Sequence, residues 1–380
     1  MIEGSKHARI LLAGRSVDDF RRQPSRNSGL FVVLDDRNQI AGTIQPNLSP
    51  LVDYAIRLRY MHANRDAWRS RAGLSPWIFH RLTDAAEKEL RAWDGRYDVI
   101  LLVQTVFAPG MLSRKRRYVV YTDNIHALTA RYYPAWSPLS PRDRARRIQL
   151  EQATCRAARY VFAKTDFLRA ALIEDYGCAP ERVVRVGSGS NIMVHSLDGK
   201  RYDGQAALFV GIDFERKGGP VLLRAWRTVH ERLPDAELWV VGPRHRPAAA
   251  DQPGVRWHGF VSDQRELADL YERATLFVLP SLFEPMGSVL LEARGHGLPC
   301  IGTDQGSFPE SINHGLDGLL VASGEPEPLA DALISLLDDP ERAATMGRRG
   351  HSGVLTEQTW DHVADRMAPY IDQAAAEPVA

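Results

Sequence analysis

Two doubly wound α/β domains in tandem are the fold this sequence predicts, on three observations. The chain has 380 residues, which suits two domains at roughly 150 residues each. Short, β-branched apolar runs alternate with longer helical stretches along the whole chain, the pattern of parallel sheets covered on both faces. The charge also divides near the middle. Residues 1–190 hold 31 Lys/Arg and 19 Asp/Glu, the rest hold 17 and 28, and the halves nearly cancel to a net +1.

In the first half, strands are expected at residues 8–14, 30–34, 98–104, 117–123, 159–165 and 183–187, with helices at 77–93 and 142–158. The second helix is announced by Ser140-Pro141, an N-cap followed by proline at the first helical position. In the second half, strands are expected at 207–212, 236–242, 255–259, 275–280, 300–303 and 318–321, and a last helical pattern covers 357–374. Residues 188–205 are polar, glycine-containing and aperiodic, as a linker is. The expected organisation is a domain over 1–190, a linker over 191–205, a domain over 206–355 and a C-terminal helix over 356–380, with room to pack back on the first domain. Ligands of such sheets lie at the carboxyl ends of the strands, so two facing domains would form a cleft.

Composition excludes several classes. With 44% apolar and 25% charged residues the chain is neither disordered nor fibrous. Its three cysteines, Cys155, Cys178 and Cys300, have no CxxC spacing, which argues for a reducing compartment and against a disulfide scaffold or structural zinc. The longest apolar stretch, 99–108, is too short to span a bilayer, and the opening residues carry no apolar signal region, so the expected location is cytoplasmic. The basic first half calls for an anionic partner. Arg57, Arg59, Arg65, Arg69 and Arg71 surround Tyr54, Leu58, Met61 and Trp68, and Arg114-Lys115-Arg116-Arg117 makes a second cluster. The options are an anionic membrane surface at the inner face, a lipid-linked or acidic acceptor, or an ordinary solvated face. Nucleic acid is not expected, because no recognised module accompanies the charge.

The chemistry concentrates in residues 281–310, SLFEPMGSVLLEARGHGLPCIGTDQGSFPE. A buried strand ends at Pro280, a loop presents Glu284, and a helix opening around Pro285 and Gly287 carries Glu292. Amides near Met286, Gly287 and Ser288 at that helix start suit a phosphate or sugar oxygen. Two carboxylates eight residues apart, one ahead of the helix and one on it, would reach different parts of an extended ligand such as a nucleotide sugar. A dinucleotide-dependent oxidoreductase is disfavoured, since no GxGxxG follows any expected strand.

The order Glu284-x7-Glu292-Ala293, Gly297-x-Pro299, Thr303-Asp304-x-Gly306 and Pro309-Glu310 resembles retaining GT-B glycosyltransferases of family 4. The resemblance continues more weakly through Val210-Gly211 to Lys217-Gly218, Tyr121-Thr122-Asp123 with Tyr132-Tyr133-Pro134, and Asp175-Tyr176-Gly177. It implies a transferase that moves a sugar from a nucleotide diphosphate donor to a glycan, lipid-linked or small-molecule acceptor. Glu292 would receive the donor ribose hydroxyls, Glu284 the hydroxyls of the transferred sugar with help from the 286–288 amides, and Lys217 would neutralise the diphosphate. His126 would contact the donor sugar, and Asp123 the donor or acceptor. Two departures stand out. Ile212 occupies the place where the family usually has an Arg, leaving Arg216 as a substitute or Lys217 alone. The first loop, AGRSVDDF, lacks the usual glycine-rich form, so Gly14 and Arg15 are weak acceptor-side candidates. No Asp-x-Asp occurs, so no metal and no bound cofactor are expected, and the leaving group would rely on cations and amides. A catalytically inactive binding subunit is the competing expectation.

Overall fold

A computed structural model describes residues 7–22, 27–111, 116–192 and 195–378. They form two units, Met1–Gly187 with Trp360–Ala380, and Ser188–Thr359. Each is built on its own six-stranded parallel sheet.

The first sheet contains β1 (Ile10–Gly14), β2 (Ile40–Ile44), β3 (Val99–Val103), β4 (Tyr118–Thr122), β5 (Val161–Ala163) and β6 (Val183–Arg185), in the order β2-β1-β3-β4-β5-β6. ILLAG, VILLV and YVVYT are buried along their whole length, as strands covered by helices on both faces must be. The strand expected at 30–34 is a helix, Ser28–Asp36, and the second strand is Ile40–Ile44. An apolar run of five residues does not distinguish the two states by itself. Here Leu30, Phe31 and Leu34 share one helical face toward the core. The true strand, IAGTI, is half exposed at the sheet edge and lacks a continuous apolar signal.

The helical pattern expected over 357–374 is cut at Gln358-Thr359, between helices Pro340–Glu357 and Trp360–Ala376. The second of these belongs to the first unit. Trp360, Val363, Ala364, Met367 and Ile371 join Phe31, Leu101, Val119 and Phe162 in its core. Arg37 pairs with Asp361 at 3.0 Å and Asp365 at 2.7 Å, and Arg366 donates to the Val186 carbonyl at 2.8 Å.

The second sheet contains β7 (Ala206–Val210), β8 (Glu237–Val241), β9 (Val255–Gly259), β10 (Leu276–Val278), β11 (Cys300–Thr303) and β12 (Gly318–Val321), in the order β12-β11-β10-β7-β8-β9. Residues 188–205, expected as a linker, fall within this unit. Its core gathers Leu208, Phe209, Trp226, Phe277, Leu290 and Leu333. In both sheets one pair of neighbouring strands marks the reversal of winding: β1 with β3, and β7 with β10. The loops leaving those strands are where a doubly wound sheet receives its ligands.

Candidate functional site

In the second unit, the loops that follow β7 and β10 are locked to each other. Gly218 adopts φ +76, and a Cβ there would stand 1.8 Å from the Pro280 carbonyl oxygen, so only glycine lets the loops close. The Leu282 amide donates to the Arg216 carbonyl at 2.9 Å. Asp213 shapes the first loop: its carbonyl accepts the Lys217 amide at 3.0 Å and its carboxylate the Arg216 amide at 3.2 Å.

This closure brings three buried charges together. Lys217 Nζ donates to Glu284 Oε2 at 2.8 Å, and Arg216 Nη1 lies 3.3 Å from the same oxygen while donating to the Phe283 carbonyl at 2.6 Å. Glu284 Oε1 accepts the Gly287 amide at 3.1 Å. Burial alone would raise the Glu284 pKa, but the charges of Lys217 and Arg216 and these hydrogen bonds outweigh it and hold it at about 2. The Asp213 carboxylate stands 3.8 Å from Arg216 Nε, so two cations and two carboxylates are held together at the strand ends of the sheet.

Glu284 precedes the helix Ser288–Gly295, whose N-cap is Gly287 at φ +66. Met286 and Gly287 are buried and Ser288 is half-buried. The Gly287 amide, expected to be open, is taken up by Glu284. Glu292 lies on the helix, half-buried, and its Oε2 accepts the Tyr271 hydroxyl at 3.0 Å. Tyr271 is fully buried and stacks on His296 with ring centroids 5.1 Å apart, and His296 Nδ1 lies 2.8 Å from the Glu292 carbonyl. Ile212 is 65% exposed, whereas Arg216 is buried beside Lys217.

The first unit gathers its candidates at the ends of β1, β3 and β4. Gly14 ends β1 against β3, where a Cβ would come within 2.7 Å of the Val103 carbonyl oxygen. Arg15 follows it, exposed, and the like charge of Arg147 disfavours its charged form. Asp123 is buried after β4 and accepts Gln104 Nε2 at 3.2 Å. His126 opens the helix His126–Tyr132, and its amide donates to Glu151 Oε2 at 2.8 Å. Burial lowers the His126 pKa, with Glu151 opposing and Arg147 and Arg144 assisting. The rings of Tyr132 and Tyr133 contact Phe167 and Trp136, respectively.

Sequence reasoning missed Glu151 and Tyr271, the buried groups that hold His126 and Glu292. Each sits inside a helix, Glu151 on Pro141–Ala157 and Tyr271 on Gln264–Arg273, with no local motif to flag it. Of the second basic cluster, Arg114 and Lys115 lie outside the described residues, and Arg116 is committed to Asp94 at 2.7 Å. In the first cluster, Arg57 pairs with Asp53 at 2.7 Å and Arg71 donates to the Pro138 carbonyl at 2.7 Å. Leu51, Tyr54, Leu58 and Met61 beside them are 83, 63, 50 and 67% exposed. Among the described residues no group of three or more His, Cys, Asp or Glu could hold a metal ion, and no helix is long and apolar enough to cross a membrane.

Two family models match: glycosyltransferase family 4 over residues 41–192, and glycosyl transferases group 1 over residues 204–339. A D-inositol 3-phosphate glycosyltransferase from Corynebacterium glutamicum is 30% identical over 262 residues, covering 62% of this chain and 62% of its own length. Another protein of that name from Rhodococcus erythropolis is 28% identical over 355 residues, covering 86% and 80%. Among solved structures, sucrose-phosphate synthase from Thermosynechococcus elongatus superposes with a TM-score of 0.73 over 96% of this chain and 98% of that one, at 18% identity. That likeness establishes a shared GT-B fold.

Proposed function

This chain belongs to glycosyltransferase family 4, and on that footing we propose that it transfers a sugar from a nucleotide diphosphate sugar to a glycan, lipid-linked or small-molecule acceptor, with retention of configuration and without a metal. The observation that carries this reading is the buried Lys217–Arg216–Glu284 cluster at the winding reversal of the second sheet. When a glycosidic bond to a diphosphate breaks, negative charge develops on the leaving oxygens, and cations fixed in place beforehand stabilise it without reorganising. Lys217 and Arg216 are such cations. Glu284 holds them in position, and its carboxylate is at hand for the hydroxyls of the transferred sugar. Glu292, oriented by Tyr271, receives the ribose. Arg216 takes the place of the arginine that Ile212 replaces: its guanidinium is buried against Glu284, and the side chain of Ile212 is largely in solvent.

In the first unit, His126 contacts the donor sugar, Asp123 lies by donor or acceptor, and Gly14 with Arg15 lines the acceptor side. The exposed Leu51, Tyr54, Leu58 and Met61, set among arginines, suit peripheral attachment to an anionic membrane from the cytoplasmic side, where a lipid-linked acceptor would be met.

Nucleoside diphosphate release from a panel of UDP-, GDP- and ADP-sugars tests the reading. Release that Lys217→Ala abolishes supports it. Failure of every donor with the fold intact sinks it, and leaves the inactive binding subunit that Ile212 would suit.

A further inference from the structure

The carboxylate of Glu151 is buried on the helix Pro141–Ala157 beneath the strand ends of the first sheet. Its oxygens are fully engaged. Oε1 accepts the hydroxyl of Thr105, and Oε2 accepts the hydroxyl of Tyr176 and, at 2.8 Å, the backbone N–H of His126. Arg147, one turn earlier, lies 3.9 Å from Oε1 and donates to the Thr105 carbonyl at 2.7 Å. Burial would raise the Glu151 pKa, yet His126, Arg147 and the two hydroxyls bring it below the ordinary carboxylate range, so the buried group is an anion.

The His126 ring faces this anion. Nδ1 lies 3.9 Å from Oε2, too far for a hydrogen bond but close enough for the carboxylate's field to favour a proton there. Nε2 is buried with no hydrogen-bond partner among the described residues. Burial, together with Arg147 and Arg144, favours the neutral ring, which carries one proton on one nitrogen. A buried acceptor without a partner is costly, and it becomes useful when a ligand supplies the donor.

We propose that Glu151 is a positioning residue for His126: it pins the first turn of the helix His126–Tyr132 through the backbone N–H, and its charge keeps the ring proton on Nδ1, leaving the Nε2 lone pair to accept a hydroxyl of the bound sugar donor. The proposal rests on the reading of His126 as a donor-sugar contact, and it adds the group that sets the orientation and tautomer of the ring. Carboxylates that orient a metal-ligating histidine lose about ten- to a hundredfold in function when removed, and the loss here, with no metal and a longer contact, is expected at or below the lower end of that range.

The tautomer is read directly from the ring nitrogens of 15N-histidine-labelled protein, with no ligand present. His126 is expected in the Nδ1-protonated form, moving toward the Nε2-protonated form in Glu151→Gln. An unchanged tautomer in that variant overturns the proposal. Turnover gives a second readout, as nucleoside diphosphate release from UDP-glucose, UDP-N-acetylglucosamine and GDP-mannose by His126→Ala, Glu151→Gln and the double variant. A double variant no slower than His126→Ala supports action through the histidine. Losses that add in full overturn it. If His126→Ala keeps wild-type release while the tautomer still depends on Glu151, the positioning stands and the sugar-contact reading of His126 is what fails. Should Glu151→Gln not fold, Tyr176→Phe loosens the same carboxylate without removing it, and its His126 tautomer decides in the same way.

Discussion

Lys217 and Glu284 are 67 residues apart in the chain and meet as a 2.8 Å ion pair inside the second unit. Each comes from a loop at the end of one of two adjacent strands, so the pair both fastens the loops and assembles the charge of the site. Glu284→Gln removes the carboxylate that Lys217 and Arg216 share. Breaking a buried pair from one side costs roughly 3–5 kcal/mol. Urea unfolding of the variant is expected to show a loss of that order, together with loss of nucleoside diphosphate release. Full transfer activity in Glu284→Ala would contradict the assignment of the site.

The same carboxylate sets an acid limit on stability. Its folded pKa is about 2, below the ordinary value of about 4.3, so the folded state binds its proton less readily than the unfolded chain does. The stabilisation is complete above about pH 4.3 and is lost as pH falls toward 2. The stability difference between wild type and Glu284→Gln should therefore be flat from pH 5 to 8 and shrink below that window. A difference that grew on acidification would have the wrong sign.

Arg216 carries a separable prediction. Arg216→Ala is expected to lower donor turnover about ten- to a hundredfold, the scale of one charge-assisted contact of 1.5–3 kcal/mol. Adding Ile212→Arg in that background should restore part of the loss. No rescue, with folding intact, would mean that the cation's position in the loop is not interchangeable.

Glu292 and Tyr271 act in series. Calorimetric binding of UDP or GDP should weaken about ten- to a hundredfold in Glu292→Ala. Tyr271→Phe removes the hydroxyl that donates to Glu292 at 3.0 Å and lies 3.5 Å from the Val289 carbonyl, but keeps the carboxylate, and should weaken binding less. Equal losses would mean that Glu292 contributes to binding only when Tyr271 orients it.

The exposed face of the helix Pro50–Arg59 gives a prediction about lipid. Liposome flotation should recover the protein with anionic vesicles at low salt, and the triple change Leu51→Ser, Tyr54→Ser, Leu58→Ser should abolish recovery. These side chains are exposed, so the fold should tolerate the change. Absence of binding to anionic vesicles at low salt would end the membrane reading.

Much of this molecule was legible because its strands are continuous apolar runs: VILLV and YVVYT could be little else once helices flanked them. The run Leu30–Leu34 misled for the same reason, because apolar residues in succession suit a buried strand and a helix pressed on a sheet alike. The motif from Glu284 to Glu310 exposed the charged loop, since glycines and prolines at fixed offsets record a backbone path. The partners of those residues were not legible. Lys217 bonded to Glu284, Tyr271 under Glu292 and Glu151 behind His126 are contacts across long sequence separations, and nothing local in a helix says which of its carboxylates faces inward.

The helix Trp360–Ala376 completes the core of the first unit after the chain has finished the second. During synthesis the usual order is therefore inverted. Residues 188–359 can mature while the residues made first still lack Trp360, Met367 and Ile371 from their core. The first unit waits for the helix Trp360–Ala376 to leave the ribosome, and a stop codon placed just before residue 360 would damage the unit whose strands were translated earlier.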